Sequence, residues 1–107
     1  MVNRDSLLEN SEKYLERKLN KAVKGLGGES IKLEARLRAG LPDRMLLLPN
    51  GLIIFVELKT KGKKPTKIQT LTHDQFRELG FWVEVIDNYN SLLKFIEYVK
   101  SLIIVPF

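Results

Sequence analysis

Cysteine is missing from all 107 residues, which excludes disulfides and thiolate zinc sites and fits a reducing interior. Long hydrophobic runs are missing as well. No apolar stretch approaches the length of a membrane span, and Met1–Asn10 is polar without the apolar centre of a signal peptide, so a cytoplasmic protein with no membrane partner is expected. Histidine is almost absent: His73 stands alone and invites assignment as a base, but it lies one helical turn after Gln69 on a polar face and reads as a surface residue. Acid is the scarcer charge, 13 Asp and Glu against 18 Lys and Arg, and the formal charge of +5 favours polyanionic partners. A chain of this length should form one domain, 1–107, with a single core and little apolar surplus.

What the chain does contain is organised around Leu41 to Gln69. Leu41-Pro42-Asp43-Arg44 opens an apolar run, Pro49-Asn50-Gly51 interrupts it, and a second apolar run ends in Glu57-Leu58-Lys59. Asn and Gly tolerate the positive φ of tight turns, so Leu41–Leu48 and Leu52–Thr60 are predicted to pair as an antiparallel hairpin. Side chains alternate along a strand, which sets Ile53, Phe55, Glu57 and Lys59 on one face and Ile54, Val56 and Leu58 on the other. A strand apolar on both faces is usually central, where a charge is costly unless paired or bound to an ion. The hairpin returns Asp43 toward Glu57 and Lys59. Two carboxylates converging there supply hard oxygen ligands suited to Mg²⁺ or Mn²⁺, an ion that can activate water against a phosphate. Lys59, Lys61, Lys63, Lys64 and Lys67 crowd the same stretch and point to phosphodiester substrates. Arg44 and Lys32 are further candidates for phosphate contact.

Along the rest of the chain, Ser6 to about Lys24 has apolar residues at helical spacing and ends at Gly27-Gly28. On that helix Glu12 lies nearer the apolar stripe than Glu16, at about 100° per residue. Ser30–Arg36 alternates as a half-buried strand. Thr66 to Leu79 is a second helix, opened by the capping box of Thr66 and Gln69, with Ile68, Leu71, Phe76 and Leu79 predicted inward and Gln69, His73 and Arg77 on another face. Phe81–Ile86 is a short strand, with Trp82 and Phe55 read as core. Ser91 to Lys100 is a last helix with Leu92, Phe95, Ile96 and Val99 inward, and the apolar tail Leu102–Phe107 should pack on the domain or on a second copy. The order α-β-β-β-α-β-α describes a mixed sheet flanked by helices, in which the helix from Thr66 links two parallel strands.

Pro42-Asp43 followed by Glu57-Leu58-Lys59, on a hairpin inside that element order, resembles the PD-(D/E)xK nuclease superfamily and more closely its virus-type replication-repair nuclease (VRR-NUC) branch, often found as small stand-alone phage proteins. The matching text runs from Glu12 and Leu15-Glu16 through Gly27-Gly28, Lys32, Gly40-Leu41-Pro42-Asp43-Arg44, Gly51, Phe55-Val56-Glu57-Leu58-Lys59, Gly62-Lys63 and Gln69 to Leu79-Gly80-Phe81. The resemblance implies a restriction-endonuclease-like α/β fold, an αβββαβ core to which the last helix is added. It implies a metal-dependent endonuclease in which Asp43, Glu57 and the backbone carbonyl of Leu58 hold Mg²⁺ or Mn²⁺. Lys59 then orients or helps deprotonate the attacking water, Glu12 is the first-helix acid reaching the metal, and Gln69 opens the helix behind the active strand. DNA, branched as in four-way junctions, would be the substrate of a homodimer in a bacterial or phage-infected cell. Two rival readings are a non-catalytic junction-binding module of the same fold and an RNA-directed nuclease.

Overall fold

The computed structural model describes residues 11–103. Helix α1 spans Glu12–Gly25 and strand β1 Glu29–Lys32, followed by a 3-10 turn at Ala35–Leu37. Strands β2 (Arg44–Leu48) and β3 (Leu52–Leu58) flank a second such turn at Pro49–Gly51, and α2 (Lys67–Glu78), β4 (Trp82–Ile86) and α3 (Tyr89–Ile103) complete the order. The sheet runs β1-β2-β3-β4, antiparallel up to β3 and parallel between β3 and β4, as the crossover through α2 requires. Asn50 and Gly51 take the positive φ values of 65° and 74° that close the hairpin.

One face of the sheet carries the main core. Leu46, Leu48, Ile54, Val56, Leu58 and Ile86 meet Leu15, Leu19 and Val23 of α1 and Leu92, Phe95 and Val99 of α3. Each such side chain contributes about 2 kcal/mol by leaving water, so this layer holds most of the fold. The other face is thinner, with Phe55 packed edge-on against Phe76 of α2 and against Phe81 at 4.9 and 5.7 Å. Trp82 is half-buried against the main core, as predicted, and its Nε1 donates to Glu84.

Several predicted boundaries and faces are corrected. The first helix begins at Glu12, because Ser11 is extended (φ −76°, ψ 146°) and its hydroxyl accepts from the Tyr14 N–H; Ser6 to Asn10 lie outside the described residues. The strand predicted over Ser30–Arg36 stops at Lys32. Leu33 still donates to the Asp43 carbonyl at 2.8 Å, after which the chain leaves the ladder and Ala35–Leu37 winds into the 3-10 turn. The hairpin ladder likewise pairs Arg44–Leu48 with residues 52–56 rather than the longer predicted runs, and β3 continues to Leu58 only against β4. The last helix is longer than predicted at both ends; of the apolar tail Ile103 packs against the main core, Leu102 is exposed, and residues 104–107 lie outside the described residues.

The largest correction concerns α2. Ile68, Leu71 and Leu79, predicted inward, are exposed, and the buried residues of this helix are Thr72 and His73. Hydrogen bonds decide its docking: Thr72 Oγ1 donates to the Ala39 carbonyl at 2.9 Å, Arg77 Nη2 to the Val83 carbonyl at 3.0 Å, and Gln69 reaches Glu57. Phe76 is the apolar contact on this face. His73 is therefore a buried residue and not the surface residue its sequence context implied.

Candidate active site

Strand pairing builds the centre. Arg44 faces Val56 in the β2–β3 register, so the next pair sets Asp43 across from Glu57 on the same side of the sheet. The Leu58 N–H donates to Asp43 Oδ2 at 2.7 Å. Within one strand residue the N–H and C=O leave on the same side, so the Leu58 carbonyl also faces Asp43. Glu57 is 1% exposed, and its Oε2 receives both Lys59 Nζ and Gln69 Nε2 at 3.0 Å. Its Oε1 is buried with no partner.

Gln69 serves two structures at once. Its Oε1 accepts from the Thr66 N–H at 2.9 Å while its own N–H accompanies Thr66 in the capping box, and its amide nitrogen holds Glu57. The cap that starts α2 therefore also sets the plane of the Glu57 carboxylate and leaves Oε1 turned away.

The charges are held against their preference. Burial and then the Asp43 charge push Glu57 up to about 6, more than Lys59 pulls it down. Asp43 is also raised, by burial first, although the Leu58 N–H and Lys59 oppose the shift. Glu12 is raised by partial burial and then by Asp43. At α1, Glu16 pairs with Arg44 Nη2 at 3.4 Å, and the Arg44 side chain is only 12% exposed. That pair ties α1 to the strand beside Asp43 and places Glu12, one turn earlier, within the field of Asp43, Lys59 and Glu57. Of the two acids on α1, Glu16 is the half-buried one and is engaged by an arginine, whereas Glu12, predicted nearer the apolar stripe, is exposed and meets the centre only through the charges of Asp43 and Lys59.

A divalent ion fits this donor set. The two raised carboxylates would each be relieved by a cation, and the orphaned Glu57 Oε1 lacks only an electropositive partner. No cluster of three His, Cys, Asp or Glu occurs among the described residues. Asp43, Glu57 and the Leu58 carbonyl would therefore leave water to complete the shell, the habit of Mg²⁺ and Mn²⁺ rather than of zinc.

No protein-family model matches the chain. A solved structure described as "VRR_NUC domain" superposes with a TM-score of 0.77 at 34% identity, covering 81% of this chain and 95% of that one. "Putative nuclease p44" of Acyrthosiphon pisum secondary endosymbiont phage 1 is 43% identical over 77 residues, 72% of this chain and 83% of the relative. The chain belongs to the VRR-NUC nuclease family. Its mixed four-stranded sheet with flanking helices is the restriction-endonuclease-like fold of that family.

In this VRR-NUC domain the remaining predicted residues fall into two groups. Lys61, Lys63, Lys64 and Lys67 are all exposed, on the loop between β3 and α2 and on the first turn of α2. Lys32 is exposed at the end of β1 beside Arg44. Arg44 itself turns toward Glu16 instead of outward. Sequence reasoning missed Thr72 and the buried state of His73, whose Nε2 has no partner and whose proton affinity is lowered by burial and by Arg77. Their spacing from Gln69, three and four residues on, was the available signal.

Proposed function

We propose that this VRR-NUC protein is a divalent-metal-dependent endonuclease that hydrolyses DNA phosphodiester bonds, with branched DNA such as four-way junctions as its preferred substrate. The observation carrying the reading is Glu57, a buried carboxylate with one orphaned oxygen, facing Asp43 and bonded to Lys59. Asp43, Glu57 and the Leu58 carbonyl would hold Mg²⁺ or Mn²⁺, and Glu12, whose carboxylate feels the Asp43 charge, would join through water. The ion would supply charge neutralisation at the phosphate and a more acidic water.

The chain's own groups do the rest. Lys59 Nζ donates toward the attacking water and offsets negative charge gathering on the phosphate. Gln69 keeps Glu57 from rotating out of place. The exposed lysines from Lys61 to Lys67 take the DNA backbone on either side of the cleaved bond. A homodimer is part of the same reading, supported by the outward row of Ile68, Leu71, Leu79 and Phe81. No helix among the described residues is long and apolar enough to cross a membrane, and with a phage relative we place the protein in the cytoplasm of a bacterial or phage-infected cell.

The test is incubation of four-way junction, flap, linear duplex, single strand and RNA with Mg²⁺, Mn²⁺ or EDTA. The expected result is metal-dependent nicking of DNA, fastest on the junction, abolished by Lys59→Ala in a protein that still folds. Binding without nicking would favour the non-catalytic module, and cleavage confined to RNA would redirect the substrate assignment.

A further inference from the structure

Leu37 is 75% exposed, more than any other large hydrophobic side chain described. It ends the 3-10 turn at Ala35–Leu37, where its N–H donates to the Glu34 carbonyl at 3.0 Å. An exposed leucine on a loose loop would call for no explanation. This turn is clamped. Arg38 Nη2 donates to Gln75 Oε1 at 2.5 Å, its guanidinium lies 5.3 Å from the Phe76 ring centre, and Thr72 Oγ1 holds the Ala39 carbonyl at 2.9 Å. Gly40, at φ +80°, presses so closely on α2 that a β-carbon would meet the Ile68 carbonyl and, at 2.5 Å, Thr72 Oγ1. Three successive residues, Arg38 to Gly40, thus fix a leucine in water that nothing among the described residues covers.

Its place and its neighbours point to nucleic acid. The turn leaves the sheet at the end where Leu33 bonds to Asp43. Leu37 precedes Asp43 by six residues, at most about 20 Å of extended chain, which is about six base steps of a duplex rising about 3.4 Å each. Arg36 and Arg38 flank it, both exposed, and among the described residues Arg36 pairs with the exposed Glu34. Two arginines beside the leucine favour a polyanion over a second copy of the chain, whose approach there would bring like charges together.

We propose that Leu37 is a wedge that enters the base stack of bound DNA within a few steps of the cleaved bond, with Arg36 and Arg38 on the adjoining phosphates. The proposal rests on the nuclease reading and deepens it by naming a residue that selects branched DNA. An apolar side chain inserted between bases must unstack them, which is easiest where a branch or break has already opened the step. A rigid turn suits that task, since a mobile leucine would fold back on the protein instead of displacing a base.

The experiment compares the full chain with Leu37→Ser and Leu37→Met on two substrates, a four-way junction and a linear duplex. A fluorescent purine analogue at the branch reports unstacking on binding in Ca²⁺, and nicking is measured in Mg²⁺ or Mn²⁺. Wild-type protein is expected to raise the fluorescence. Leu37→Ser should lose that rise and cut the junction at least about tenfold more slowly, duplex nicking changing less than about twofold, and Leu37→Met should restore both. A wild-type complex with no fluorescence rise, or a Leu37→Ser protein that keeps both the rise and the junction preference, overturns the wedge while leaving the nuclease reading intact. A shift of Leu37→Ser to a smaller assembly in sedimentation also overturns it, in favour of contact between copies. Absence of metal-dependent cleavage by the wild type on either substrate overturns the nuclease reading and the wedge with it.

Discussion

At the residue scale, Glu57 and Asp43 repel each other at a point where the fold would be more stable with one of them neutral. Glu57 is raised from 4.5 to about 6. Between those values the native chain keeps a proton that the unfolded chain has released, so metal-free stability falls as pH rises through the window, by on the order of 2 kcal/mol. His73, lowered from 6.5, acts in the opposite sense, since its contribution is lost as pH falls. Asp43→Asn separates the two: His73 is common to both proteins, and the amide oxygen can still accept from the Leu58 N–H. The variant is expected to be inactive yet more stable than wild type without divalent ion, by about 1 kcal/mol near pH 7 and by less near pH 5. Thermal melts across that range, in EDTA, check the widening gap. Added Mn²⁺ should raise the melting temperature of the wild type and leave Asp43→Asn almost unmoved.

At the element scale, α2 is the instructive case. Its capping box was legible because Thr66 and Gln69 are near neighbours in the chain, and local bonds of that kind depend little on what surrounds them. Its buried face was not. Ile68, Leu71 and Leu79 have the spacing of a core stripe, but the surface that α2 meets offers Glu57, the Ala39 carbonyl and the Val83 carbonyl, and an apolar stripe docked there would leave those buried polar groups unpaired. The seat of α2 on the chain leading to Asp43 depends on Gly40. Gly40→Ala meets both the positive φ and the Ile68 backbone. It is expected to lower stability by about 2 kcal/mol or more, and to lower nicking by displacing Asp43. Chemical denaturation and the junction assay measure the two effects, and unchanged values of both would refute this role for the glycine.

At the scale of the whole molecule, basic charge gathers on the loop that leads into α2 and exposed apolar surface follows along α2 itself. Lys61, Lys63, Lys64 and Lys67 project beside the acidic centre, so DNA binding should weaken steeply with salt. Replacing the four lysines by Gln should flatten the log–log salt dependence by about 3 to 4 units if each meets a phosphate; an unchanged slope in a filter-binding titration would remove that loop from the interface. The outward apolar residues of α2, with Phe81 and Ile53, form the surface a second copy would cover. Light scattering at micromolar concentration is expected to give the mass of a dimer, and Leu71→Lys, at a position 54% exposed and outside the centre, to give a monomer that remains folded.

The amino-acid order alone determined the hairpin, the shared face of Glu57 and Lys59, the arrival of Asp43 opposite them and the cap on α2, because turn chemistry, strand alternation and end-capping act over a few residues. Only the tertiary structure decided where the β1 ladder ends, which side of α2 is buried, that Arg44 belongs to Glu16, and that His73 is buried while Leu37 stands in water. Those outcomes depend on which unpaired donors and acceptors lie across the gap, supplied by residues tens of positions away, and a hydrophobic period has no means of recording them.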